Sequence, residues 1–358
     1  MSNVIHLNVP SPRQKQAARL AALIANFAQY RRFGDDVFWL KENAELLNIL
    51  ECTGAGVTSE MLAPHAAFYD RIEQRIGFFP QYYRFLLSLC LDLEDLGFAG
   101  TKGEKLAHWA ACEGLAEAEL SDLQRAEARR LMQRRGIDPL PHDTGLTDRL
   151  HAFIDRSDTF AMPNKKAAYE LTHIVFYLSE YGRRDPRLSK AALTSLEFAG
   201  ILAFLDQNSD LLAEICVAMR YAGATPSPIW ENWLTRTTRR FRLQSGPQVG
   251  TADDYHDYFV CNWAMAASGE AAFSSDNDDE RTAYFRAGGD AGPLRQMSEC
   301  MFRLESRRSG DWAAMKPVVQ DSLSEFGFEI LADAEASSPN FDAFFSGFAR
   351  TGLRGVGL

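Results

Sequence analysis

Apolar residues recur along this chain at the three- and four-residue spacing of helices, and strict alternation is nearly absent. Ser11 followed by Pro12 reads as an N-cap and first helical residue, opening a helix to about residue 32. The same periodicity predicts helices at 35–52, 58–75, 78–96, 101–113 and 117–135. After a break at Pro139 and Pro141 it predicts more at 146–156, 165–182, 187–205, 209–222 and 228–241. QSGPQVGTADD interrupts the pattern near residue 250, and the last helices fall at 252–268, 291–308, 311–324, 326–336 and 339–349. Only VIHLNV near the start has strand character, read as a short extended arm. The expected fold class is all-α, a multi-helical array of helix pairs.

A longer period suggests how the pairs are arranged. Tyr83, Tyr169 and Tyr255 stand 86 residues apart, each in an aromatic-rich helix that ends near Gly97, Gly182 or Gly269, where a glycine C-cap is expected. Stacked repeats of this length predict an α/α solenoid or toroid. The expected divisions are an N-terminal helical region at 1–77, repeats at 78–160 and 161–246, and a third repeat with a C-terminal aromatic helix at 247–358.

At 358 residues, 46% hydrophobic and 24% charged, the chain has the composition of a globular protein. A formal charge of −10 argues against nucleic acid as a partner, since phosphate binding needs a positive field. Two basic clusters, Arg125 to Arg135 and Arg236 to Arg242, read as solvated helix faces. No apolar window is long enough to span a membrane, and the apolar N-terminal run lacks the basic start of a signal peptide. The six cysteines are widely spaced with no Cys-x-x-Cys, so they read as free thiols in a reducing cytoplasm.

One helix carries the main chemical candidate. In AYELTHIVFYLSEYG, at about 100° per residue, Glu170, His173, Tyr177 and Glu180 fall on one stripe of an otherwise apolar helix. Glu170 and His173 have the Glu-x-x-His spacing by which one helix offers a carboxylate and an imidazole to a metal. A di-iron type site needs that motif twice, and the nearest substitutes, Asp148-x-x-His151 and Asp253-x-x-His256, read more simply as helix-start residues. Asp206, Asp210 and Glu214 form an acidic edge that an antiparallel helix would bring toward His173. The candidate metal set is therefore Glu170, His173, Asp210 and Glu214. Set against this, Asp206–Asp210 reads as a turn capped by Asn208 or Ser209, with Glu214 solvated.

The remaining motifs are weaker. Asp276-x-Asp278-Asp279 sits among Ser, Asn, Glu and Arg, the setting of an exposed loop and not of a buried acid or a calcium loop. No dinucleotide fingerprint, P-loop, His-Glu-x-x-His or Gly-x-Ser-x-Gly is present.

FWLKENAELLNILECTGAG (38–56), FFPQYYRFLLSLCLDLEDLG (78–97) and AYELTHIVFYLSEYGRR (168–184) resemble segments of an uncharacterised family of helical alphaproteobacterial proteins. The resemblance spans most of the chain, implies a bacterial cytoplasmic protein, and carries no activity or site residues. Two functional expectations follow from the residues. One is an interaction or scaffold protein with a protein partner and no cofactor, docking through a concave face or the aromatic helix FDAFFSGF. The other is an α/α enzyme or metal-binding protein with a carboxylate–histidine site in the helical interior, holding a divalent or di-iron type metal.

Overall fold

The computed structural model describes residues 11–32, 36–278 and 280–351. VIHLNV, Asp279 and the glycine-rich tail lie outside the described residues. In chain order the helices are α1 (Pro12–Ala25), α2 (Val37–Cys52), α3 (Ala66–Phe78), α4 (Tyr83–Asp95), α5 (Lys102–Cys112) and α6 (Asp122–Gln133). Next come α7 (Leu146–Ile154), α8 (Ser157–Phe160), α9 (Lys165–Leu178), α10 (Lys190–Leu205), α11 (Ser209–Tyr221) and α12 (Pro228–Thr238). The last are α13 (Tyr255–Ser268), α14 (Leu294–Leu304), α15 (Trp312–Gln320), α16 (Glu325–Ser337) and α17 (Phe341–Phe348). Among the described residues the protein is all-α apart from two four-residue strands, β1 (Arg242–Ser245) and β2 (Thr282–Phe285), paired antiparallel.

Local chemistry accounts for many of the helix ends. Ser11 and Gln14 close a capping box at the start of α1. Asp36, Ser121, Asn164, Ser189, Asn208, Asp311 and Ser324 each accept a bond from a first-turn amide. Gly97 and Gly269 have positive φ, the left-handed conformation that a glycine adopts without penalty after a helix, whereas α9 stops at Leu178 and turns left-handed already at Glu180 and Tyr181, before Gly182.

A contiguous hydrophobic core runs from Leu20 to Ala349, through all four expected divisions. Its centre is α11, where every residue from Ser209 to Met219 is buried. Helices α9, α10, α12 and α13 pack around it, and α13 also touches α2. The Tyr83 helix α4 packs on α2, whereas the Tyr169 and Tyr255 helices, α9 and α13, share α11. The aromatic helix α17 turns Phe341, Phe344, Phe345 and Phe348 inward, so those rings belong to this chain's own core.

The first and last thirds of the chain are fastened by polar groups. After α1 the backbone widens into a π-turn, Asn26–Tyr30. The Asn26 amide donates to the Tyr284 hydroxyl at 3.0 Å and accepts from Thr282 N at 3.0 Å, holding β2. Arg31, fully buried, donates to Glu42 Oε2 at 3.0 Å, Asp253 Oδ1 at 2.5 Å and the Thr282 carbonyl at 3.1 Å. Asp253, read from the sequence as a helix-start residue, thus works as a counter-ion to a buried guanidinium. Removing one partner of such a cluster would leave a bare buried charge.

His65 is wholly buried and its Nε2 faces the Asn43 side-chain oxygen at 2.9 Å, while the Asn43 amide donates to the Phe27 and Trp39 carbonyls, both at 3.0 Å. Burial holds its pKa down to about 4, against 6.5 for a free imidazole. The unfolded chain therefore binds a proton that the folded chain refuses. This contribution to stability is intact above about pH 6.5 and is lost as pH falls through about 4. Urea unfolding is expected to lose on the order of 2 kcal/mol more between pH 7 and 4.5 in the wild type than in His65→Asn. Equal pH slopes in the two proteins would contradict it.

Candidate functional site

The site grows from the burial of α11. Asp210 and Glu214, one helical turn apart, are only 9% and 4% exposed, so both carboxylates must be satisfied by neighbours. Helix α9 supplies two donors. The Tyr169 hydroxyl donates to Asp210 Oδ2 at 2.5 Å, and Thr172 Oγ1 lies 2.5 Å from Glu214 Oε2. His173 Nδ1 sits 2.7 Å from the Tyr169 carbonyl and 3.7 Å from Glu214 Oε2. A donor at Nδ1 leaves the His173 Nε2 lone pair free when the ring is neutral.

The third wall is α13. His256 Nδ1 is bonded to Glu45 of α2, and His256 Nε2 lies 3.2 Å from Asp210 Oδ1. That last contact is an ion pair whose angle falls short of an aligned hydrogen bond, so Asp210 Oδ1 is buried and met by charge alone. Asp210, Glu214 and His256 each place one ligand atom within 4.8 Å of the other two. Glu45, His173, Glu214 and His256 are among the residues lining a cavity of about 210 Å³. Tyr177 and Arg84 also line it, with Arg84 ion-paired to Glu119 at 2.9 Å and to Glu127.

The electrostatics separate the groups. Desolvation pushes the Glu214 carboxyl up, reinforced by Asp210. Desolvation also works to raise Asp210, but His256 and the Tyr169 hydroxyl outweigh it and hold the group below the usual carboxylate range. Burial alone would lower His256, yet Glu45 and Asp210 drive it up to about 11, so at neutral pH a proton sits between the carboxylates. Two carboxylates pushed in opposite directions beside an imidazolium form an arrangement seen where proton transfer or cation binding takes place.

The residues singled out from the sequence are partly assembled here. His173, Asp210 and Glu214 converge, and Tyr177 lines the cavity. Glu170 does not line it: α9 presents Tyr169, Thr172, His173 and Phe176 toward α11, and Glu170 lies about 100° around from Tyr169. Glu180 lies beyond the end of α9 with φ 49°, so it leaves the helical stripe and pairs with Arg130 Nε at 3.1 Å. Asn208 does cap α11, but Glu214 is buried where a solvated residue was expected. Asp206 turns away to Lys165 at 2.8 Å. Asp148 is exposed in the first turn of α7, and Asp276 pairs with Arg19 on the surface at 2.7 Å.

Sequence reasoning passed over His256 and Glu45. The Asp253-x-x-His256 spacing was a signal for the histidine, but its reading as a helix start took Asp253 and His256 together. In the structure they face different partners, Arg31 and Asp210. No sequence signal pointed to Glu45, which reaches His256 across 211 residues of chain.

The chain belongs to a family described as a domain of unknown function (DUF6902), whose model matches residues 1–351. No curated protein and no solved structure shows a significant match. Among the described residues no helix is long and apolar enough to cross a membrane.

Replacing Thr172 by the isosteric valine removes the contact to Glu214 Oε2 while filling the same volume. The folded state is expected to lose about 1–3 kcal/mol, read as a lower urea midpoint at unchanged slope. An unshifted midpoint would mean that Glu214 does not depend on this hydroxyl.

Proposed function

We propose that the protein binds a divalent first-row transition-metal ion at Asp210, Glu214 and His256, with His173 at hand as a further ligand, and acts on a small polar molecule in the adjoining cavity. One observation carries this reading: Asp210 Oδ1 is buried without a hydrogen bond and faces His256 Nε2 at 3.2 Å beside a second buried carboxylate. A cation between these atoms would satisfy all three at once, in the place now served by the imidazolium proton. The donor set of carboxylate oxygen and imidazole nitrogen suits zinc, iron or manganese.

The surroundings support it. Glu45 on His256 Nδ1 is the carboxylate–histidine pairing that orients metal-bound imidazoles. Tyr169 and Thr172 orient the two carboxylates in the same way. Three protein ligands leave a position for water or substrate, and the cavity adjoins that position. A single Asp–Glu–His cluster suits one ion, with neither Glu170 nor a second Glu-x-x-His to complete a di-iron set.

The interaction reading draws on a different observation. Phe78 and Phe79 are exposed, at 76% and 39%, with rings edge-on at 4.8 Å. Phe38, Leu120, Phe302, Val318 and Phe328 are exposed as well, each on a different segment, and the aromatic helix α17 is committed to the core. The cluster around α11 is the more specific feature, so metal binding is the reading adopted.

Metal content measured by plasma mass spectrometry after loading and dialysis tests it. The wild type and Glu170→Gln are expected to retain near-stoichiometric metal, and His256→Ala is expected to lose it. Glu45→Gln is expected to bind about ten- to a hundredfold more weakly by calorimetry. A wild type that takes up no zinc, iron or manganese, or equal binding in His256→Ala, would contradict the proposal.

A further inference from the structure

The basic run Arg125 to Arg135 is not the solvated face its sequence suggests. Arg134 bonds Asp92 at 2.7 Å and Asp95 at 2.6 Å, Arg135 reaches Glu94 at 2.9 Å, and Arg129 bonds Asp138 at 2.6 Å. Arg236, Arg239, Arg240 and Arg242 of the second cluster are exposed, as expected.

Arg130 stands apart. It is 4% exposed, its Nη2 has no hydrogen bond, and its guanidinium lies 4.3 Å from the centre of the Tyr181 ring. Glu180 approaches Nε at 3.1 Å, but the alignment of a hydrogen bond is missing there too. Arg130 lines a cavity of about 390 Å³ together with Arg129, Arg184, Gln133, Thr147 and Tyr177. Neither aspartate nor glutamate is among the described residues lining it.

Two neighbours reinforce the imbalance. Arg184 spends its Nε on the Leu178 carbonyl at 2.8 Å and has no ion pair among the described residues. Tyr177 is 7% exposed, and its hydroxyl has no hydrogen-bond partner among the described residues. Arg129 and Arg130 are ion-paired to Asp138 and Glu180 outside the cavity lining, so in a chain of formal charge −10 three guanidiniums, that of Arg184 without an ion pair among the described residues, and one hydroxyl line a cavity with no carboxylate on its wall.

We infer that this cavity binds the phosphate group of a small molecule, held by Arg129, Arg130 and Arg184, with Gln133, Thr147 and Tyr177 supplying neutral hydrogen bonds. Planar guanidinium forks match the oxygens of a phosphate, and charge-assisted bonds of this kind are the strong ones. The volume lies in the range of small-molecule pockets. The site is separate from the carboxylate cluster and does not depend on a metal there, although Tyr177 lines both cavities.

The test is calorimetric titration of the full chain, stripped of metal and chelator, with inorganic phosphate and with glycerol 1-phosphate at constant ionic strength. Saturable binding is expected in the wild type, and at least about tenfold weaker binding in Arg184→Gln, an exposed position whose loss leaves the circular dichroism unchanged. Arg130→Lys, which keeps the charge but loses the fork, is expected to weaken phosphate binding similarly. Tighter binding of the ester would support the site and assign it to a phosphorylated metabolite. Equal affinities would support it as a site for the free ion. No saturable heat with either ligand, or unchanged affinity in Arg184→Gln and Arg130→Lys, would overturn the inference.

Discussion

Two carboxylates on the most enclosed helix of the molecule constrain everything around them. Asp210 and Glu214 could be replaced by apolar residues without exposing α11, and burying them costs free energy unless each oxygen is matched. Tyr169 and Thr172 meet that demand from α9 with hydrogen bonds, and His256 of α13 faces Asp210 Oδ1 as an ion pair at 3.2 Å, with Glu45 of α2 holding the imidazole from behind. Four helices are thereby placed by chemistry as well as by packing. Asp210 Oδ1 is left without a hydrogen bond, which is the reason to read the cluster as a site and not as a structural network alone.

The same logic at lower chemical consequence ties the chain's ends together. Arg31 with Glu42 and Asp253, and Asn26 with Thr282 and Tyr284, join the first helices to the small β-ladder more than 200 residues away. This junction lies at the start of α13, only three residues before His256. The depth of α13 against α2, and with it the reach of Glu45 to His256, follows from how that junction is fastened.

How much of this the sequence shows depends on range. Helices were legible because periodicity and caps are local: α9, α10 and α11 begin at residues 165, 190 and 209, against expected starts at 165, 187 and 209. The strands were not, since each is four residues long and their partners lie beyond the QSGPQVG break. The stripe on α9 identified the right helix, and the acidic edge of α11 identified its partner. Periodicity ranks faces but does not say which face meets which helix, so Glu170 was grouped with His173 while Tyr169 and Thr172 do the bonding. His256 and Glu45 lay out of reach for the same reason, being adjacent only once α13 and α2 pack.

The central claim is that Asp210, Glu214 and His256 converge on a cation and not merely on a shared proton. Anomalous diffraction from crystals soaked in zinc or manganese addresses this directly. The account predicts an anomalous peak within bonding distance of Asp210, Glu214 and His256 Nε2, with Glu45 still bonded to Nδ1. Soaked crystals with no peak there, and His256 still placed between Glu45 and Asp210, would show that the cluster is a proton-bridged structural network.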